Sequence, residues 1–166
     1  MSLLIVADTG PLVILAKLNH LPLLRQLYTE IRIPETVLIE ATTLAYRQDA
    51  KRIVGFAAQY AQVMPDIAED DPDYLDYGLD AGETQAISWA KRANCPVLLD
   101  ERRGRAVAKQ EHLAVLGTVG LLLKAKQAGL IPEISSLLDN MLAHDYRLAP
   151  ALIQQAKVLA GENQAI

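Results

Sequence analysis

Cysteine is nearly absent from this chain. Cys95 stands alone among 166 residues, which excludes an internal disulfide and any multi-cysteine zinc site. Histidine is sparse too: His20, His112 and His144 are scattered, so an imidazole metal cluster has little support. With one Trp and one Phe, a base-stacking platform for single-stranded nucleic acid is thin, and Trp89 and Phe56 read as packing residues. No apolar run approaches the ~20 residues a membrane helix needs. The opening MSLLIVADTG has no basic n-region and no small-residue cleavage site. A cytoplasmic protein with no membrane contact is therefore expected. Both Gly-rich phosphate loops, G-x-x-x-x-G-K and G-x-G-x-x-G, are missing. No Ser–His–Asp or Cys–His arrangement points to nucleophilic catalysis.

What is present is a large apolar fraction. Hydrophobic residues make up 51% of the chain, enough for a substantial core in one domain. The formal charge of −4 hides an uneven distribution. Asp66, Glu69, Asp70, Asp71, Asp73, Asp76 and Asp80 fall between Pro65 and Asp80, with no Lys or Arg among them. Seven of the 20 acids are there, which leaves 13 against 16 basic residues elsewhere. A mildly basic body can hold a polyanion over a small footprint. The acidic run itself reads as a solvated loop, and it lacks the spacing of a calcium loop.

Apolar strands alternate with helical stretches along the chain. Strands are expected at 3–7, 31–33, 62–64, 96–99 and 113–116. Helices are expected at 10–18, 20–28, 35–46, 49–60, 80–93, 101–111, 119–128, 134–143 and 150–160. Strands separated by helices predict an α/β fold around a parallel sheet.

Acids sit where such a fold does chemistry. Leu3-Leu4-Ile5-Val6-Ala7 runs straight into Asp8, and Val97-Leu98-Leu99 into Asp100-Glu101. Ligands of open α/β sheets bind outside the carboxyl ends of the strands. Glu40 falls on the stripe of Val37, Ala41 and Leu44, the expected core face of its helix. Glu83 is four residues before Ile87 on the inner face of the next acid-bearing helix. Asp80 and Glu83 also have the spacing of a capping box, an ordinary helix-start device. Asp100 has an equally ordinary use as a helix cap. Crowded carboxylates repel unless a divalent cation joins them, and an all-oxygen set suits Mg²⁺ or Mn²⁺. Such a site supports phosphoryl chemistry on a metal-activated water. Arg102, Arg103 and Arg105, with Lys109 a turn further, put phosphate-matching cations beside the acids. Lys124 and Lys126 read as complements to a helix dipole.

Four segments resemble the PIN-domain family, the metal-dependent nuclease fold of VapC-type toxins. They are Asp8-Thr9-Gly10-Pro11-Leu12, Ile33-Pro34-Glu35-Thr36-Val37-Leu38-Ile39-Glu40, Leu79-Asp80-Ala81-Gly82-Glu83-Thr84-Gln85-Ala86-Ile87 and Leu98-Leu99-Asp100-Glu101-Arg102-Arg103-Gly104-Arg105. The order G-E-x-x-A-I then D-[DE]-R-x-G-R is similar to a PIN subfamily long catalogued as of unknown function. The resemblance implies a three-layer α/β/α sandwich over 1–130, with two extra C-terminal helices in a 131–166 extension packed on the same domain. It implies an Mg²⁺- or Mn²⁺-dependent endoribonuclease, a small antitoxin that covers the site, and a homodimer. Asp8, Glu40, Glu83, Asp100 and Glu101 would be its catalytic metal acids. Thr9 would be a hydroxyl supporting them, grouped with Arg102, Arg103 and Arg105 on the substrate side. The strand–helix junction leaves open which of Asp100 and Glu101 faces the metal. Glu83 and Glu101 stand where many PIN nucleases have Asp. A non-catalytic module whose acidic pocket docks a basic partner segment is the alternative. A phosphatase of the D-x-D type fits poorly, because Gly10 occupies the position of the second Asp.

Overall fold

β1 (Leu4–Ala7) lies at the centre of the sheet and carries no polar side chain. In the computed structural model, which describes residues 3–67 and 78–163, Ile5, Val6 and Ala7 are all fully buried. Consecutive strand residues point to opposite faces, so both faces of the sheet are covered at β1. The chain continues through α1 (Thr9–Lys17), α2 (Pro22–Leu27), β2 (Glu30–Pro34), α3 (Glu35–Ala41), α4 (Gln48–Tyr60) and β3 (Ala61–Met64). After the acid-rich stretch come α5 (Ala81–Ala93), β4 (Val97–Leu98), α6 (Arg102–Gln110) and β5 (Val115–Leu116). The solvated loop expected there lies mostly outside the described residues. No helix among the described residues is long and apolar enough to cross a membrane.

All four strand pairings are parallel, and the order is β3-β2-β1-β4-β5. The α/β class with a parallel sheet and surrounding helices is as expected from sequence. The chain moves outward from β1 through β3, then returns to place β4 on the other side of β1. Strand order therefore reverses between β1 and β4, and open parallel sheets bind ligands at such a reversal. Asp8 follows β1 directly, and its N–H donates to the Leu98 carbonyl at 3.0 Å. The carboxyl ends of β1 and β4 are thereby stitched side by side.

The helix expected over 35–46 ends at Ala41 instead. Thr42 and Thr43 turn their hydroxyls back onto the Leu38 and Ile39 carbonyls at 2.6 and 2.9 Å. Such local bonds compete with helix continuation. Leu44, expected in the core stripe, is 47% exposed as a result, while Val37 and Ala41 are buried. Phe56 is a packing residue, tilted at 52° against Tyr60. So is Trp89, whose indole N–H donates to the Pro65 carbonyl at 3.0 Å. Next to it, Gln85 exchanges two hydrogen bonds with the Ile67 backbone, and Asp66 accepts from the Thr36 N–H at 3.2 Å. Residues 65–67 thus tie α3 to α5, the two helices that carry Glu40 and Glu83.

The chain divides into two compact units, Met1–Gly117 and Thr118–Ile166. The first holds the sheet and α1–α6. The second consists of α7 (Thr118–Gln127), α8 (Ser135–Ala143) and α9 (Pro150–Leu159). Glu162 fastens this second unit. Its carboxylate accepts from the N–H groups of Ile134 and Ser135, from the Ser135 hydroxyl at 2.6 Å and from Lys126 Nζ at 2.9 Å. Lys126 also bonds the Ala160 carbonyl at 2.5 Å, so it closes α9 as well as sitting in the last turn of α7. Burial opposes ionisation of Glu162, but these donors outweigh it and hold the carboxyl at about 2. A depressed carboxyl pKa stabilises the fold above the unfolded value, and that contribution disappears as pH falls from about 4.5 through 2. Glu162→Ala is expected to cost about 1–3 kcal/mol at pH 7. Thermal unfolding should show the deficit shrinking below pH 4. An equal deficit at pH 7 and pH 2 would mean that packing, not charge, holds the corner.

Candidate active site

Asp8 occupies the N-cap position of α1 yet makes no side-chain cap bond. An aspartate at that position ordinarily folds back onto the first helical N–H groups. The residue is only 5% exposed, and its Oδ1 has no hydrogen-bond partner. An unpaired buried carboxylate oxygen is costly. Burial raises the Asp8 carboxyl from 3.8 to about 7 against the opposing pull of the Thr9 N–H, and the charges of Asp80, Glu83 and Glu40 push it further up. Asp80, Glu83 and Glu40 are therefore its charged neighbours.

Glu40 projects from the last turn of α3 and is braced on both oxygens. Thr9 Oγ1 donates to Oε2 at 3.0 Å, and the Gly82 N–H donates to Oε1 at 3.2 Å. One carboxylate thereby links α1, α3 and α5. The approach is close: a Cβ at Gly82 would clash with Glu40 Oε2. Glu83, 6% exposed, forms a full capping box with Asp80. Its N–H donates to Asp80 Oδ1 at 2.8 Å, and its Oε2 accepts from the Asp80 N–H at 3.1 Å. Burial raises the Glu83 carboxyl, and the charges of Asp80, Glu101 and Glu40 add to that rise.

The adjacent acids after β4 diverge. Glu101 is the N-cap of α6 without a side-chain cap bond, and its charge is felt at Glu83. Asp100 Oδ1 and Arg105 Nη1 both lie close to where a Cβ on Gly117 would sit. Arg105 Nη1 also donates to the Leu99 carbonyl at 3.3 Å. Arg105 is thus occupied in bracing the end of β4. Arg102 and Arg103 remain exposed on the first turn of α6, Arg103 lying against Gly78, and Lys109 is exposed a turn or two on. From sequence, Asp80 has only a helix-start role and Gly82 only a place in a motif. Asp80 is a charged neighbour of Asp8 as well as a cap, and Gly82 is the backbone donor to Glu40. A glycine in the first turn of an otherwise good helix was the available signal.

Oxygen donors alone, one of them buried without a partner, fit a hard divalent cation such as Mg²⁺ or Mn²⁺. Among the described residues, no three acidic, His or Cys side chains gather tightly enough to grip an ion as they stand. Glu40 and Glu83 are drawn into hydrogen bonds with Thr9, Gly82 and Asp80.

Fold and site together define an α/β domain that crowds carboxylates at the strand-order reversal of a parallel sheet. The family described as the PIN domain matches residues 4–162, and the chain belongs to that family. PIN domains are generally metal-dependent nucleases, and they generally bind RNA. The crystal structure of PAE2754 from Pyrobaculum aerophilum is similar in fold, with a TM-score of 0.59. The likeness covers 76% of this chain and 98% of that one at 17% identity. No curated protein matches the chain in sequence.

Proposed function

We propose that the protein is a divalent-metal-dependent endoribonuclease, the toxin of a toxin–antitoxin pair acting in the cytoplasm. The buried, unpaired Asp8 oxygen, on a carboxyl that feels the charges of Asp80, Glu83 and Glu40, carries this reading. Asp8, Glu40, Glu83 and Glu101 would hold Mg²⁺ or Mn²⁺, which when bound lowers the pKa of a water and offsets charge on a phosphodiester. Thr9 and Gly82 orient Glu40. Arg102 and Arg103 face solvent beside the acids, where they can take the RNA phosphates bidentately. Asp100, at the same strand end, lies near Gly117 and Arg105. The antitoxin and the homodimer belong to the same reading through the family resemblance.

The test is cleavage of single-stranded RNA by the purified protein with Mn²⁺ or Mg²⁺, against the same reaction in chelator. Cleavage restored only by the metal is the expected result; none at any metal concentration would end the nuclease reading. The hydrogen-bonded state of Glu40 and Glu83 favours a second reading, a binding module that docks a basic segment on these acids. Tight binding of such a segment together with no Mn²⁺ binding by calorimetry would select it.

Gly82 offers a finer check. Gly82→Ala normally gains helix propensity, about 1 kcal/mol. Here the new methyl displaces the Glu40 carboxylate, the far end of a flexible chain. We expect a melting temperature within a few degrees of wild type but Mn²⁺ affinity weaker by about tenfold or more, as for lost outer-shell contacts. Unchanged affinity would mean that Glu40 has no part in holding the ion.

A further inference from the structure

We propose that Asp80, beyond capping α5, supplies a fifth carboxylate to the cation site. This rests on the metal reading above. A helix cap needs an acceptor, not a charge, and Ser, Thr or Asn would do as well. The cap uses only Oδ1, while Oδ2 enters no hydrogen bond among the described residues. The dipole of α5 favours one anion in its first turn, and Glu83 already provides it. A second negative charge at that point has a cost, because it adds to the crowding around Asp8.

The placement follows from hydrogen bonds. Thr9, next to Asp8, and Gly82, between Asp80 and Glu83, both donate to the same Glu40 carboxylate. The start of α5 is therefore fastened beside the start of α1. Among the like charges acting on Asp8, that of Asp80 is the strongest, ahead of Glu83 and Glu40. Asp8 Oδ1, buried and without a partner, is the independent sign that a ligand is missing at this spot. Hard-cation affinity is set in part by the number of charged oxygens presented, so one more carboxylate is a direct means of tightening it.

Asp80→Asn separates the two roles, since Asn keeps the cap and loses the charge. Asp80→Ala loses both. Titration calorimetry of the full chain with Mn²⁺ alone, alongside melting in chelator, reads them apart. We expect Asp80→Asn to melt at or above the wild-type temperature without metal, yet to bind Mn²⁺ about tenfold more weakly. Asp80→Ala should melt lower and bind as weakly as Asp80→Asn. If Asp80→Asn binds Mn²⁺ as the wild type does and only Asp80→Ala is weakened, Asp80 is a cap alone and the proposal is overturned. If the wild type itself takes up no Mn²⁺, the metal reading fails first and this inference fails with it.

Discussion

Asp8→Asn is expected to lower RNA cleavage at least a hundredfold while leaving the fold intact. The substitution is nearly isosteric, and residue 8 makes no helix-cap bond whose loss would unwind α1. What it removes is charge at the most buried carboxylate of the site. An amide cannot replace a carboxylate facing a hard cation, and removing one well-placed electrostatic group from an active site typically costs about 10²–10³ in rate. The proper comparison pairs cleavage rates with far-ultraviolet circular dichroism and Mn²⁺ titration. Mn²⁺ binding should weaken with activity. Equal cleavage by variant and wild type would remove Asp8 from the chemistry, and with it the proposed site.

The same substitution should stabilise the metal-free protein above neutral pH. Folding raises the Asp8 carboxyl from 3.8 to about 7, with burial the leading cause. Between those values the folded chain binds more protons than the unfolded one. Stability must therefore fall as pH rises from about 4 to 7, and the full penalty persists above 7. The shift corresponds to about 4 kcal/mol. Asn keeps part of the polar burial, so the net gain should be nearer 1–3 kcal/mol, or several degrees in melting temperature. In chelator, the variant should melt higher than wild type at pH 7.5, and the gap should close toward pH 4. Saturating Mn²⁺ should reverse the order, because a ligand bound a hundredfold above its Kd adds about 2.7 kcal/mol to the wild type alone. A variant less stable than wild type at pH 7.5 without metal would contradict the crowding of charge around Asp8.

Much of this molecule was readable from local pattern. Each of the five strands overlaps the segment expected to form it. α5 starts at the residue after its capping Asp80, and the Pro-led α9 starts at Pro150. These features depend on neighbours along the chain, which is what sequence displays. The stop of α3 was less legible. Its apolar spacing continues to Leu44, but Thr42 and Thr43 have hydroxyls that compete for the helix carbonyls, and pattern alone does not weigh that competition.

Sequence by itself determined the secondary elements, the parallel class of the sheet and the delivery of acids to strand ends, since all three follow from hydrophobic period and abrupt changes of polarity. Tertiary structure decided which acids meet. It set the strand order that puts β4 beside β1, kept Glu101 within reach of Glu83, and brought Thr9 and Gly82 onto one Glu40 carboxylate. Those choices rest on contacts between residues tens of positions apart, whose side-chain directions are fixed only when the helices pack.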